Sequence, residues 1–293
     1  MPAIMSAPGN TPPRRIRFGH SPDPDDAFMY WPLAGGLVET EGLVFEQVLE
    51  DIESLNVRAL QGELETTAAS VHAVAWLTDR YAILPCGASM GDGYGPIVVT
   101  RQPAQVGDLA GMRIAVPGEK TSAFLALRLA IGPFTHEVVP FDRIPQAVAA
   151  GKADAGLLIH EGQLTFQRDG LHRVIDLGDW WKRRTDGLPL PLGVNIVRRD
   201  LGDRMMQSIG RCLARAIDWS LSHRAEALSY ASGFARGLEA PLTDRFVSMY
   251  VNDLTRDCGR RGRAAIARFL EEGRRAGAID VISSASTPSF VEL

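Results

Sequence analysis

Cysteine is scarce in this chain of 293 residues. Cys86, Cys212 and Cys258 are odd in number and far apart, which argues against a disulfide framework and a paired-cysteine zinc site. No histidine falls in an H-E-x-x-H or comparable spacing, so no metal is expected. A basic excess is also missing. The formal charge is −4, with no basic stripe interleaved with aromatics, and nucleic acid is not an expected partner. No run is long and apolar enough to span a bilayer. The first eighteen residues, rich in proline, polar residues and arginine, lack the apolar core of a secretory signal. Residues 1–13 read as a disordered tail, and a cytoplasmic protein with no membrane partner is expected.

What is present is an ordinary globular composition, 45% hydrophobic and 23% charged, long enough for one large domain or two smaller ones. Strand-like and helix-like runs alternate through the first two thirds. "RIRFGH" reads as a strand, "DDAFMYWPLAGG" as a helix, "LVFEQVLE" as a strand and "IESLNVRALQGE" as a helix. "GPIVVTR" and "MRIAVPG" are further strands, the latter followed by the helical "SAFLALRLAIG". Such alternation predicts a mostly parallel sheet with helices on its faces. From Arg204 to Ala276 the pattern is mainly helical.

An internal echo suggests two such units. "VRALQGELETTAAS" (Val57 to Ser70) and "PQAVAAGKADAGLLIH" (Pro145 to His160) each have a helical run, a capping glycine, an acidic residue and a small-residue strand. Aligning Gly62 with Gly151 pairs Glu65 with Asp154 and brings Ser70 to within one position of the partner of His160. Ligands in open α/β sheets sit beyond the carboxyl ends of strands, so Ser70 and His160 would face one cleft between lobes. The expected crossovers are "GPIVVTR" outward and "GVNIVRRD" on return. Lobe 1 then spans 14–100 and 199–293, and lobe 2 spans 101–198.

His160, at the exit of "AGLLIH", is the candidate general base, because imidazole titrates near neutrality. The alternative is a strand-end histidine bonded to backbone. "VPGEKTSAF" places Thr121, Ser122 and Ala123 at a helix start, where N–H groups and the dipole favour a carboxylate or phosphate. Plain N-capping would also account for Thr121 or Ser122. The upstream glycine of a phosphate loop is missing, which rejects a nucleoside triphosphate. Glycines in "GASMGDGYGPIVV", Gly95 among them, allow either a tight turn or close backbone approach to a ligand. In "SPDPDDAF", Asp23 suits an N-cap, Pro24 the first helical position, and Asp25 and Asp26 the dipole. Helix initiation accounts for all three acids. If one touches substrate, accepting hydrogen bonds from sugar hydroxyls is the expected job.

Several segments together resemble the 1,4-dihydroxy-6-naphthoate synthase family of the futalosine route to menaquinone. They are "SPDPDDAF", "VLEDIESLN", "GYGPIVV", "VPGEKTSAF", "GLLIHEGQLTFQRDGL", "DLGDWWKRRTDGLPLPLG" and "YVNDLTRDCGRRG", in family order. The resemblance implies a two-lobe, periplasmic-binding-protein-like (type II) α/β fold with a ligand cleft between the lobes. It also implies a carbon–carbon lyase with no cofactor, acting on a small-molecule aromatic carboxylate. The family's base falls on His160, its first-lobe serine on Ser70, its helix start on Thr121, Ser122 and Ala123, and its shared opening aspartate on Asp26. Three departures stand out. The commoner "SPCPNDTF" opening has become "SPDPDDAF", "IHESRFTY" has become "IHEGQLTF", and Asn195 replaces a small residue. A homodimer is left open. The alternatives are a solute-binding protein of the same fold, which would carry an export leader or lipobox cysteine, and a chorismate dehydratase-like lyase on another carboxylate.

Overall fold

A computed structural model describes residues 13–280 and 287–293. The expected tail lies outside these residues except for Pro13. From the amino end come β1 (Arg14–His20), α1 (Pro24–Ala34), β2 (Leu43–Leu49), α2 (Ile52–Gln61), β3 (Thr66–Ser70), α3 (Val71–Val74), β4 (Tyr81–Ile83) and β5 (Ser89–Gly91). Next are β6 (Ile97–Thr100), β7 (Arg113–Val116), α4 (Ser122–Ile131), β8 (Thr135–Val138), α5 (Ile144–Ala149), β9 (Ala155–Leu158), α6 (Gly162–Thr165), β10 (His172–Asp176) and α7 (Leu177–Arg184). The return strand β11 (Leu190–Arg198) leads into α8 (Asp203–Ser222), α9 (Arg224–Ala231), α10 (Ala240–Tyr250), α11 (Asp253–Arg256) and α12 (Gly259–Arg275).

The strands form two sheets. The first runs β2-β1-β3-β11-β4, with β5 also paired to β11; the second runs β10-β6-β9-β7-β8. The expected mostly parallel sheet is corrected to two mixed ones. The β1, β2 and β3 pairings are parallel, as are those of β7 with β8 and β9, but each crossover strand enters antiparallel to its neighbours. That reversal also moves the expected lobe limits at 100/101 and 198/199. β6 bonds only within the second sheet and β11 only within the first, so each belongs to the lobe it enters.

The echo is structural. Gly62 and Gly151 both take left-handed backbone, at φ 75° and 72°, just past the ends of α2 and α5. Only a residue without Cβ does this at little cost. Glu65 accepts the Arg17 N–H of β1 at 3.0 Å, and Asp154 accepts the Arg113 N–H of β7 at 2.9 Å. Each lobe thus uses one carboxylate to tie the start of β3 or β9 to the neighbouring parallel strand.

Three apolar clusters hold the described elements, the smallest of them joining Ile97 and Val99 of β6 to Ile144 and Val148 of α5, and the other two are larger. Phe18, Phe28 and Met29 pack under α8 against Leu213 and Ile217. A second cluster joins Val116, Leu125 and Leu157 of the second lobe to Ile196 of β11 and Phe269 of α12. α12 therefore buttresses both lobes, touching β11, α3 and α4. Trp181 of "DLGDWW" is fully buried there, edge-on to Phe269, with its N–H donated to the Pro189 carbonyl at 3.1 Å. Cys86, Cys212 and Cys258 are free and buried, and no helix among the described residues is long and apolar enough to cross a membrane.

Candidate active site

The carboxyl ends of β1, β3, β7 and β9 open on one cleft between the sheets, as the strand-exit rule requires. It encloses about 710 Å³ with the open space at its mouth included. Ser70, Thr121, Ser122, Ala123, Asp26 and His160 all line it. Gly95 does not, and the neighbouring Pro96 lines the wall instead. A Cβ at Gly95 would come within 3.1 Å of the Gly178 backbone, so the glycine serves close packing of two chain segments rather than ligand approach.

Two helices start at this cleft. At α4, Thr121 is the N-cap: its Oγ1 accepts the Phe124 N–H at 3.2 Å and donates to the Gly118 carbonyl at 2.8 Å. The Ser122 hydroxyl is likewise committed, donating to the Leu192 carbonyl at 2.6 Å and accepting the His72 N–H at 3.2 Å. What remains for a ligand is the main chain, because the first N–H groups of a helix have no partner within it. The first turn holds no acid. Beside it, Ser70 is fixed by Asn56, whose Nδ2 donates to Oγ at 3.0 Å and whose Oδ1 accepts the Ser70 N–H at 2.8 Å. The serine hydroxyl proton is left to donate. Asn56 closes "VLEDIESLN", where no local signal marks it as a partner of Ser70.

At α1 the helix start is occupied by its own carboxylates. Asp23 caps it, accepting the Asp26 N–H at 3.3 Å, and Asp26 accepts the Ser21 N–H at 2.7 Å. The capping reading of the opening acids is correct but incomplete. Asp23 Oδ2 also lies 2.9 Å from His160 Nδ1, with side-chain exposures of 3% and 17%. Burial opposes ionisation of Asp23, but the His160 ring outweighs it and holds the carboxyl at about 2. Burial opposes charge on His160 too, and Asp23 outweighs it, raising the imidazole above its ordinary value. Asp25 and Asp26 go the other way: burial, then repulsion from Asp23, pushes both well above the carboxylate range. Asp23, Asp25 and His160 bring one ligand atom each within 4.8 Å of one another, the spacing a metal ion would use. The hydrogen bond accounts for the approach of ring and carboxylate without one.

His160 sits at φ 51°, a left-handed backbone that costs a non-glycine residue about 1–2 kcal/mol. This turn just past β9 aims the ring back at α1, and Phe141 packs edge-on against it with centroids 4.9 Å apart. Next to it, Glu161 is paired with Arg236 at 2.7 Å, and Arg236 also donates to the Pro22 carbonyl at 2.8 Å. Tyr250 donates its hydroxyl to Gln163 Oε1 at 2.7 Å. Arg236 and Tyr250 come from the helical last third, where no local pattern marks them as neighbours of His160. The Asn195 departure is absorbed in the core, its amide donating to the Tyr30 hydroxyl and, at 3.3 Å, to the Gly87 carbonyl.

Residues 16–275 match the model of a protein family described as menaquinone biosynthesis. The chain belongs to that family. A relative described as a 1,4-dihydroxy-6-naphthoate synthase from Thermus thermophilus is 42% identical over 262 residues, covering 89% of this chain and 95% of the relative. One from Streptomyces coelicolor with the same description is 34% identical over 275 residues, covering 91% and 95%. A crystal structure of a protein from Archaeoglobus fulgidus superimposes with TM-score 0.86 at 46% identity, covering 90% of this chain and 98% of that one. The alkanesulfonate-binding protein of Xanthomonas axonopodis, bound to MOPS, superimposes with TM-score 0.69 at 14% identity, covering 92% and 96%. At that identity the likeness shows the fold alone: this menaquinone-biosynthesis family member has the two-lobe periplasmic-binding-protein-like architecture.

Proposed function

We propose that this chain is a 1,4-dihydroxy-6-naphthoate synthase. It acts as a carbon–carbon lyase that converts cyclic dehypoxanthinyl futalosine to 1,4-dihydroxy-6-naphthoate, releases the sugar-derived fragment and needs no cofactor. The observation that carries this reading is a single cleft with an imidazole on one wall and an acid-free helix start on another. The synthase description of the relative with 42% identity supports the reading. The aryl carboxylate of the substrate rests on the Ser122 and Ala123 N–H groups at the positive end of α4, with the Ser70 hydroxyl beside it. His160 takes the proton through Nε2, since Nδ1 is held by Asp23. The released electron pair moves through the carbonyl-activated ring system, the bond to the sugar-derived fragment breaks with its pair leaving on that fragment, which takes the proton back from His160, and the ring system becomes aromatic. Asp26 accepts from a sugar hydroxyl. A step on a small aryl acid that makes no use of a membrane suits a cytoplasmic enzyme.

The test is to incubate the purified chain with cyclic dehypoxanthinyl futalosine in the presence of a chelator and assay for the naphthoate. Product is expected, and His160→Ala is expected to lose ~10²–10⁴-fold in kcat, the usual worth of a general base. No product from the wild-type chain would reject the synthase reading. Product from His160→Ala at undiminished rate would reject the base alone.

A further inference from the structure

We infer that Asp23 is the positioning residue for the His160 base, holding its ring from the opposite lobe and leaving Nε2 as the basic nitrogen. The inference rests on the synthase reading for its chemistry, but its geometry is independent of it. Both oxygens of Asp23 are committed. Oδ1 accepts the Asp26 N–H at 3.3 Å, which locks the carboxylate to the start of α1, and Oδ2 meets His160 Nδ1 at 2.9 Å. Phe141 also packs edge-on against the imidazole. A carboxylate on one ring nitrogen selects the tautomer in which the other is unprotonated, and it favours the imidazolium formed when a proton is taken. Asp23 belongs to the lobe of the first sheet and His160 follows β9 of the second, so the bond exists only where the lobes meet.

The pair depends on the acid at position 23. In "SPCPNDTF" the position of Asp23 is a cysteine, a neutral group and a weak acceptor at neutral pH. Here it is an anion, and the position of Asp25 has changed from asparagine to aspartate as well. Asp25 is buried beside Asp23 in the same cleft, with Oδ1 bonded to nothing. A second anion so close would compete for the imidazole, so Asp25 serves as a neutral carboxyl, the isostere of the asparagine it replaces. The charged and titratable groups facing His160 are thus Asp23, Asp25 and Asp26 of the α1 start, Glu161 beside it in the chain, and Arg236. Arg236 neutralises Glu161 at 2.7 Å, which leaves Asp23 as the unshared anion at the ring.

Asp23→Asn isolates the charge, because asparagine caps a helix as well as aspartate does. Asp23→Cys, the residue of the commoner opening, is the second variant should the first fail to fold. Two readouts are needed on the full chain: the pH profile of kcat, and the imidazole ¹⁵N shifts of His160 followed from pH 5 to 9. The base must be unprotonated, so the rate climbs with pH through the titration of His160. Asp23 favours the imidazolium, so removing its charge moves that climb to lower pH. Asp23→Asn is expected to lose at least ~10-fold in plateau kcat with KM little changed, its acid limb and the imidazole midpoint both moving down. A lower rate with limb and midpoint unmoved would overturn the inference, since a merely structural role would give that result. If the wild-type chain makes no naphthoate, the synthase reading falls, while the imidazole midpoints still decide whether Asp23 holds His160.

Discussion

α1 and α4 both point their amino ends into the same cleft, and they are equipped in opposite ways. α1 is capped by a carboxylate, with two more acids in its first turn; α4 is capped by a threonine, with none. A helix start attracts negative charge worth roughly 0.3–1 kcal/mol at an exposed site. At α1 that attraction is satisfied internally by the Asp23 carboxylate, which also holds an imidazole. At α4 it is left for the ligand. The difference separates a helix start filled by its own acids from one whose first turn holds none. Under the proposed function it divides the cleft into an α4 end for the carboxylate and an α1 end for the proton.

The comparison can be broken most severely by making α4 resemble α1. Ala123→Asp places a carboxylate in the seat and is expected to raise KM by ~10²-fold or more with a smaller change in kcat, measured by steady-state kinetics. Deleting the one side-chain donor beside the seat is gentler: Ser70→Ala is expected to raise KM about 10-fold, the scale of one lost hydrogen bond to a charged group. Thr121→Ala removes the neutral cap and is expected to lower stability by about 1 kcal/mol, a fall of roughly 2–4 °C in Tm by calorimetry. The acid-filled start responds in the opposite sense. A carboxyl whose folded pKa is pushed up, as at Asp25, has its stability intact below its unfolded value near ~3.9 and loses it as pH rises toward the folded value. Asp25→Asn removes that loss and is expected to raise Tm at pH 8 by about 2 °C, with less gain at pH 5.

Much of this arrangement was readable in advance, and for definite reasons. The βα alternation, the paired "G-x-x-acid" echo and the strand-exit position of His160 are local patterns with fixed geometric consequences, and the structure keeps them. β6 and β11 bond in sheets that local pattern does not reveal, because pairing partners are distant in sequence, and a packing glycine such as Gly95 has the same local signature as one needed for a ligand. The Asp23–His160 bond lay beyond reach for a related reason. Asp23 has a complete local explanation as an N-cap, and nothing local announces a second partner from the other lobe. Asn56, Arg236 and Tyr250 escaped in the same way.

The most direct test of the two-start account is an amide NMR titration of the ¹⁵N-labelled chain with 2-naphthoate, a stable aryl carboxylate. Saturable shifts are expected at the Ser122 and Ala123 N–H groups, with those of Asp25 and Asp26 much less affected. Saturable shifts confined to the α1 start, with the α4 amides still, would contradict it.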